Sequence, residues 1–353
     1  TAASCAPNCS PQLDQDPPAP APPPDPSAES PLPEACAGGP EPSIVALDPE
    51  DGIGDIALSP THVYWSTSDA ILRRAKDGGS PEVVAYVEGG AGQLRVAGST
   101  LFWAASGAEL FALPLDGPAQ PLRLVDDLAA PLAWTASEDR VYYMAQPPGD
   151  ASGGADDFCT RGYQLKTVPS TGGQPELLAE HQGALDQLAV DATGVYWPEI
   201  LRCVPPEGKI AKYTFATASV STFAVATGNP HSLRAAGGRV LWLDEGGLWS
   251  SPASAGDPVL LAHPPTIRAL ATDGTDAYWA ASDLDSTWGG AYSVYADVFS
   301  APLAGGEAHE IACHIFGIDE FWFVADRGAV YYRSWIHDLI GRLPTSSDAT
   351  PHL

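Results

Sequence analysis

Residues 187–197, Gln-Leu-Ala-Val-Asp-Ala-Thr-Gly-Val-Tyr-Trp, read as two short β-strands around a tight turn. Gln187-Leu188-Ala189-Val190 is a first strand, A. Asp191-Ala192-Thr193-Gly194 is the turn, and Val195-Tyr196-Trp197 opens a second strand, B. Branched and aromatic side chains fit a pleated surface, while Asp and Gly accept turn geometry. The B tripeptide recurs as Val63-Tyr64-Trp65, Leu101-Phe102-Trp103, Val141-Tyr142-Tyr143, Val240-Leu241-Trp242, Ala277-Tyr278-Trp279 and Val330-Tyr331-Tyr332. Counting residues 195–197, there are seven copies, with starts 38, 40, 54, 45, 37 and 53 residues apart. Self-similarity near this period in strand-like units predicts an all-β fold, a β-propeller.

The ends of the units fix the strand count. A third strand, C, runs into Pro169-Ser170-Thr171-Gly172-Gly173, and Pro175-Glu176-Leu177-Leu178-Ala179 follows as a fourth, D. Comparable C–D turns are Lys76-Asp77-Gly78-Gly79, Leu115-Asp116-Gly117, Ala253-Ser254-Ala255-Gly256 and Leu303-Ala304-Gly305-Gly306. D strands are expected near 82–87, 120–125, 175–180, 219–225, 258–263 and 308–313, with none after the seventh unit. Pro42-Ser43-Ile44-Val45-Ala46-Leu47 resembles a D strand and precedes the first A strand. The N-terminal strand is therefore expected to supply the outer strand of the last blade. That would close a ring of seven four-stranded antiparallel blades and remove the exposed sheet edge. No helix is expected. The B-strand aromatics are expected to fill the space between blades rather than bind a ligand. Asp191, Asp273 and Asp326, each six residues before the last aromatic of a repeat, are expected to form turns.

The chain has 353 residues, 44% of them hydrophobic, so a large core is affordable, and a formal net charge of −27. Such a field repels phosphate backbones, which argues against nucleic acid and anionic membranes as partners. No apolar run is long enough for a transmembrane helix. Few Lys, Asn and Met beside many Ala, Gly, Pro and Asp suggest a GC-rich bacterial origin. Residues 6–34 are dominated by Pro, Ala, Asp and Ser, a composition that favours extended polyproline. The expected organisation is a Pro/Ala-rich tether or disordered segment over 1–41, the propeller over 42–345 and a tail over 346–353. Six cysteines, Cys5, Cys9, Cys36, Cys159, Cys203 and Cys313, fit disulfides and an oxidising compartment. Ala2-Ala3-Ser4-Cys5 is a loose relative of a bacterial lipobox, so Cys5 is read either as a lipid anchor or as a disulfide cysteine.

Residues 63–79 carry an aromatic pair, a later Ile-x-Arg and an Asp-Gly turn, and they resemble the YWTD repeats of LDL-receptor-type propellers. The span 43–344 is similar to bacterial secreted propeller proteins of that repeat type, many of them lipoproteins of unassigned function. The Thr-Asp pair is absent here, as Ser66-Thr67, Ala104-Ala105 and Pro198-Glu199 show, and there are seven repeats rather than six. The resemblance implies the fold and an extracellular, periplasmic or outer-membrane-surface setting. It implies no catalytic residue.

Function is expected where the repeat is broken. Three B–C connections, all on the top face of a propeller, read as long loops: 146–161, 198–208 and 282–294. Cys159 and Cys203 fall in two of them and are the expected disulfide. Trp288 stands outside the repeat position near acids, where a rim tryptophan can stack on a sugar or anchor a protein. With it, Asp283, Asp285, Glu199, Arg202, Asp156, Arg161, Trp335 and His337 are the ligand-binding candidates. Asp283-Leu284-Asp285-Ser286 has the carboxylate spacing of a calcium loop without the rest of that motif, so no cofactor is assigned. Asp186, His231, His263 and Arg268 are channel-mouth candidates, because D–A connections lead to the central channel. No serine-hydrolase elbow, phosphate loop, dinucleotide fingerprint or haem motif occurs. The sequence reading favours a secreted or surface-tethered binding or scaffold protein for a protein, peptide or glycan. Its alternative is a propeller hydrolase or lyase with a central His/Asp site.

Overall fold

The structure, a computed structural model, describes residues 43–47, 52–105, 108–117, 119–127, 133–147, 162–182, 187–203, 206–263, 267–282, 295–316, 318–334 and 338–345. The segments expected as tether and tail, 1–41 and 346–353, lie outside them. The described residues form seven four-stranded antiparallel sheets. After β1 (Ser43–Leu47), blade 1 holds β2 (Ile56–Leu58), β3 (His62–Ser66), β4 (Ala70–Ala75) and β5 (Gly78–Tyr86). Blade 2 holds β6 (Ala91–Ala97), β7 (Thr100–Ala105), β8 (Glu109–Pro114) and β9 (Leu122–Val125). Blade 3 holds β10 (Trp134–Ala136), β11 (Arg140–Ala145), β12 (Gly162–Pro169) and β13 (Glu176–Gln182). Blade 4 holds β14 (Ala189–Val190), β15 (Gly194–Cys203), β16 (Pro206–Thr214) and β17 (Ser219–Ala226). Blade 5 holds β18 (His231–Ala236), β19 (Arg239–Asp244), β20 (Gly247–Pro252) and β21 (Val259–Ala262). Blade 6 holds β22 (Ile267–Thr272), β23 (Asp276–Ala281), β24 (Tyr295–Pro302) and β25 (His309–Phe316). Blade 7 holds β26 (Ile318–Asp326), β27 (Ala329–Ser334), β28 (Leu339–Pro344) and, as its outer strand, β1.

The ring closes as the sequence predicts. β1 pairs antiparallel with β28, from Ser43↔Arg342 to Leu47↔Leu339. Val45 and Ala46 are buried in the cluster between blades 7 and 1, with Val63, Trp65 and Tyr331. The Arg74 guanidinium of blade 1 donates to the Val45 carbonyl, and Lys76 pairs with Asp326 of blade 7. β1 is thus joined to one blade through its backbone and to the next through side chains.

The recurring tripeptide is the interlock between blades. Side chains alternate across a strand, so the middle residue faces one neighbouring blade and the outer two face the other. Tyr64 packs with Leu101 and Trp103 of blade 2, and Phe102 with Val141 and Tyr143 of blade 3. Tyr142 packs with Val195 and Trp197, and Tyr196 with Val240 and Trp242. Leu241 packs with Ala277 and Trp279, Tyr278 with Val330 and Tyr332, and Tyr331 with Val63 and Trp65. All of these side chains are buried. The aromatic stripe is core, as expected, and has no face left for a ligand.

Two of the three turn aspartates, Asp191 and Asp273, behave as read, whereas Asp326 ends β26 and pairs with Lys76. Asp191 accepts the Thr193 and Gly194 amides and the Tyr196 hydroxyl, at 2.7, 3.1 and 3.1 Å. Asp273 accepts the Thr275 and Asp276 amides and the Tyr278 hydroxyl, at 2.8, 2.9 and 3.2 Å. Each of these two carboxylates closes an A–B turn and satisfies a tyrosine whose ring is buried between blades.

One expectation is corrected. Residues 198–208 are not a long loop. β15 and β16 continue as a paired hairpin from Gly194↔Thr214 to Cys203↔Pro206. The extension is carried by cross-strand pairs, Pro198↔Ile210, Glu199↔Lys209 and Arg202↔Glu207, so the ladder runs on instead of opening.

Candidate functional site

The A strands of all seven blades surround a central cavity of about 700 Å³. Its wall includes Gly54, Asp55, Gly92, Gln93, Arg95, Trp134, Gln187, Arg234, Thr272 and Trp322. The B-strand aromatics pack outside this wall, so among the described residues the A strands and their entries set its chemistry.

Asp55 stands at the entry to β2. Its amide donates to the Ser66 hydroxyl at 2.9 Å, and its carbonyl accepts the Ser66 amide at 3.1 Å, which ties the entry to β3. The carboxyl reaches in two directions. It accepts the Ile56 amide at 2.8 Å within blade 1 and the Leu94 amide at 2.7 Å from blade 2. Burial pushes its pKa up to about 6, overriding the lowering effect of these amides and of the Arg95 charge. Arg95 and Asp55 form no direct ion pair, so Arg95 acts through the field. Burial in turn lowers the Arg95 pKa, against the raising influence of Asp55. Asp55 is a strut between two blades whose charge is poorly solvated.

The guanidiniums are held by aromatic faces and amides. Arg95 lies over the Trp134 ring at 5.2 Å, across the boundary between blades 2 and 3. Arg333 lies over Trp322 at 4.0 Å. Arg234 donates to the Gln187 side-chain oxygen and to the Leu233 carbonyl, both at 3.0 Å. The Arg95 Nε and the Gln93 Oε1 are buried without a hydrogen-bond partner.

Several sequence candidates sit elsewhere. His231 places its ring nitrogen 3.1 Å from the Ser232 hydroxyl, and Arg268 donates to Ser282 at 2.8 Å. Neither lines the cavity, and the exposed His263 does not either. Asp186 lies outside the described residues. Glu199 pairs with Lys209 at 3.1 Å across the β15–β16 hairpin, and Arg202 stands opposite Glu207 in its register. Asp156, Arg161, Asp283, Asp285, Trp288, Trp335 and His337 lie outside the described residues. So does Cys159, and with it the expected Cys159–Cys203 bridge. Cys313 is disulfide-bonded. Among the described residues, no three His, Cys, Asp or Glu converge to hold a metal ion. Among them, too, no helix is long and apolar enough to cross a membrane.

Sequence reasoning missed Asp55, Gln93, Arg95, Gln187 and Arg234. It chose the position eleven residues before the last aromatic, occupied by Asp186, His231 and Arg268. Apart from the glycines Gly54 and Gly92 at eleven, the wall side chains named above come mainly from the positions ten and eight before it: Asp55, Gln93, Gln187 and Trp322 at ten, Arg95 and Arg234 at eight. A shift of one residue turns a strand side chain to the opposite face. A readable signal existed, because position eight holds Ala57, Thr135, Ala189, Ala271 or Val324 in the other blades and arginine in only two.

No protein-family model and no curated protein matches this chain. Solved structures do. An oligogalacturonate lyase from Vibrio parahaemolyticus aligns with TM-score 0.65 at 7% identity, over 90% of this chain and 100% of that one. A catalytically inactive virginiamycin B lyase from Staphylococcus aureus, crystallised with quinupristin, aligns with TM-score 0.59 at 9% identity, over 87% and 99%. PorZ, a bacterial surface component of the type-IX secretion system of Porphyromonas gingivalis, aligns with TM-score 0.56 at 10% identity, over 88% of this chain and 38% of that one. At such identities the likeness establishes the β-propeller fold.

Proposed function

We propose that this protein is a secreted or surface-tethered binding protein whose ligand enters the central channel. The observation that carries this reading is the roughly 700 Å³ cavity, walled by every blade and furnished with Arg95, Arg234, Gln93 and Gln187. Concave sites of that size with a few convergent polar groups are where small ligands bind. Binding is favoured over hydrolysis or elimination because, among the described residues, the carboxyl on the wall is Asp55, which already accepts two backbone amides and acts as a strut. The propeller similarity to a bacterial surface component fits a surface setting, and the Pro/Ala-rich 1–41 segment fits a tether.

A macromolecular partner on the top face is a second reading. It is favoured by the extended β15–β16 hairpin, with its Glu199–Lys209 pair standing at the B–C end of blade 4. The sequence candidates Trp288, Trp335 and Asp283, which lie outside the described residues, belong to this reading.

The test uses Gly92→Phe. Gly92 lines the cavity, and a Cβ there meets nothing within 4 Å, so the substitution adds bulk at the wall where the backbone leaves open space. Native mass spectrometry of the wild-type protein after incubation with a small-molecule extract of its native medium should show an adduct. The adduct should vanish in Gly92→Phe. An adduct of equal abundance in both proteins would sink the channel reading, and so would its absence from both.

A further inference from the structure

Blades 2 and 5 carry the same local distortion at the same place. Between β6 and β7 the ladder passes from Gly92↔Ala104 to Arg95↔Phe102, and Gln93 has φ of 52°. Between β18 and β19 it passes from His231↔Leu243 to Arg234↔Leu241, and Ser232 has φ of 51°. Neither Gln nor Ser is at home in the left-handed region, and bulges of this kind re-aim the side chain that follows. Backbone strain kept at matching positions is characteristic of a built site. In both blades the residue two beyond the strained one is the arginine on the cavity wall. Blades 2 and 5 stand nearly opposite in a ring of seven, so the two guanidiniums come from facing walls.

Charge and hydrogen bonding point the same way. The chain carries −27 overall, yet among the described residues the charged ones on the cavity wall are Arg95, Arg234 and Asp55. The Asp55 oxygens accept the Ile56 and Leu94 amides and make no ion pair with Arg95. The buried Arg95 Nε lacks an acceptor, and the buried Gln93 Oε1 lacks a donor. Unmatched polar atoms of this kind are costly and uncommon, and a ligand relieves both. Arg95 and Arg333 each cover one face of Trp134 and Trp322.

We infer that the channel binds a small hydroxycarboxylate, its carboxylate held between Arg95 and Arg234 and its hydroxyl donating to Gln93. This rests on the reading of the channel as the ligand site. Guanidinium forks suit carboxylate geometry, and two of them in a low-dielectric cavity discriminate strongly against neutral molecules.

The test is isothermal titration at constant ionic strength with four probes: tartrate, succinate, inorganic phosphate and the neutral polyol erythritol. Tartrate should bind saturably and erythritol should not. Succinate, which lacks the hydroxyls, should bind more weakly than tartrate. Arg95→Gln and Arg234→Gln should each weaken tartrate by about tenfold or more, the equivalent of one lost charge-assisted hydrogen bond. Arg123→Gln, on the exposed face of blade 2, should leave affinity unchanged. If one channel variant fails to fold, the other carries the comparison, with far-UV circular dichroism as the check. Tartrate binding that is absent, or is unchanged in the folded arginine variants, overturns the inference. So does tighter binding of phosphate, which assigns a phosphoryl ligand instead. An adduct that Gly92→Phe abolishes, in a protein that ignores all four probes, would overturn this inference and leave the channel reading standing.

Discussion

Replacing Asp55 with Asn should change both the stability of the protein and the way that stability depends on pH. In the folded protein burial raises the Asp55 pKa to about 6 from an ordinary 3.8. The folded state therefore holds the proton more tightly than the unfolded state does. Stability is highest with Asp55 protonated and falls as pH rises through the window from 3.8 to about 6. The full loss is ~3 kcal/mol, with roughly 2 kcal/mol of it between about pH 4.5 and pH 7.5. Asn carries no charge at either pH, so it does not lose this contribution. It offers one carbonyl oxygen where Asp55 offers two, and either the Ile56 or the Leu94 amide goes unmatched, at about 1–3 kcal/mol. Near pH 4.5 the variant should thus be clearly less stable than the wild type. Near pH 7.5 the gap should close by about 2 kcal/mol. Urea unfolding followed by tryptophan fluorescence at both pH values measures the difference, and the pH response of the remaining carboxylates cancels between the two proteins. Parallel stability–pH curves would refute the assignment of a destabilised charge to Asp55.

Removing residues 1–47 takes β1 out of blade 7 and bares the edge of β28 and the Trp65–Tyr331 cluster; light scattering should show self-association and calorimetry a lower Tm, and a monomer with unchanged Tm would contradict strand-borne closure. Gly237→Ala should destabilise by about 1–3 kcal/mol in urea unfolding, since φ is 58° there and a Cβ would lie 1.9 Å from the Gly274 carbonyl of the next blade. Trp197→Ala should cost about 3–5 kcal/mol through the cavity left between blades 3 and 4, yet tartrate titrated into the folded variant should give unchanged affinity.

Much of the fold was legible because its energetics are periodic. The same tripeptide does the same work in seven places, and seven clusters of alternating side chains leave a strong period in the sequence. The closing strand was legible too, since a missing D strand at one end and a surplus one at the other fit only a ring. The blade 4 hairpin was not, because Pro198 and the polar Glu199 and Arg202 read as loop residues. Their ladder partners Ile210, Lys209 and Glu207 lie on the other strand and become visible only once the register is known. The channel wall was harder still. Its residues occur once or twice around the ring, not seven times, and their direction depends on bulges at Gln93 and Ser232 that nothing in the local sequence announces. Gln and Ser are unremarkable strand residues, and only the φ values near 50° reveal that Arg95 and Arg234 have been turned toward the centre.

The central claim is that this propeller binds its ligand in the channel, through arginines set by those two bulges. Amide hydrogen exchange with and without saturating tartrate tests it most directly. Protection should concentrate in Gly92–Arg95 and His231–Arg234, the two bulged segments on facing walls. Protection confined to residues 198–208 of the blade 4 hairpin, or spread evenly over the seven blades, would contradict it.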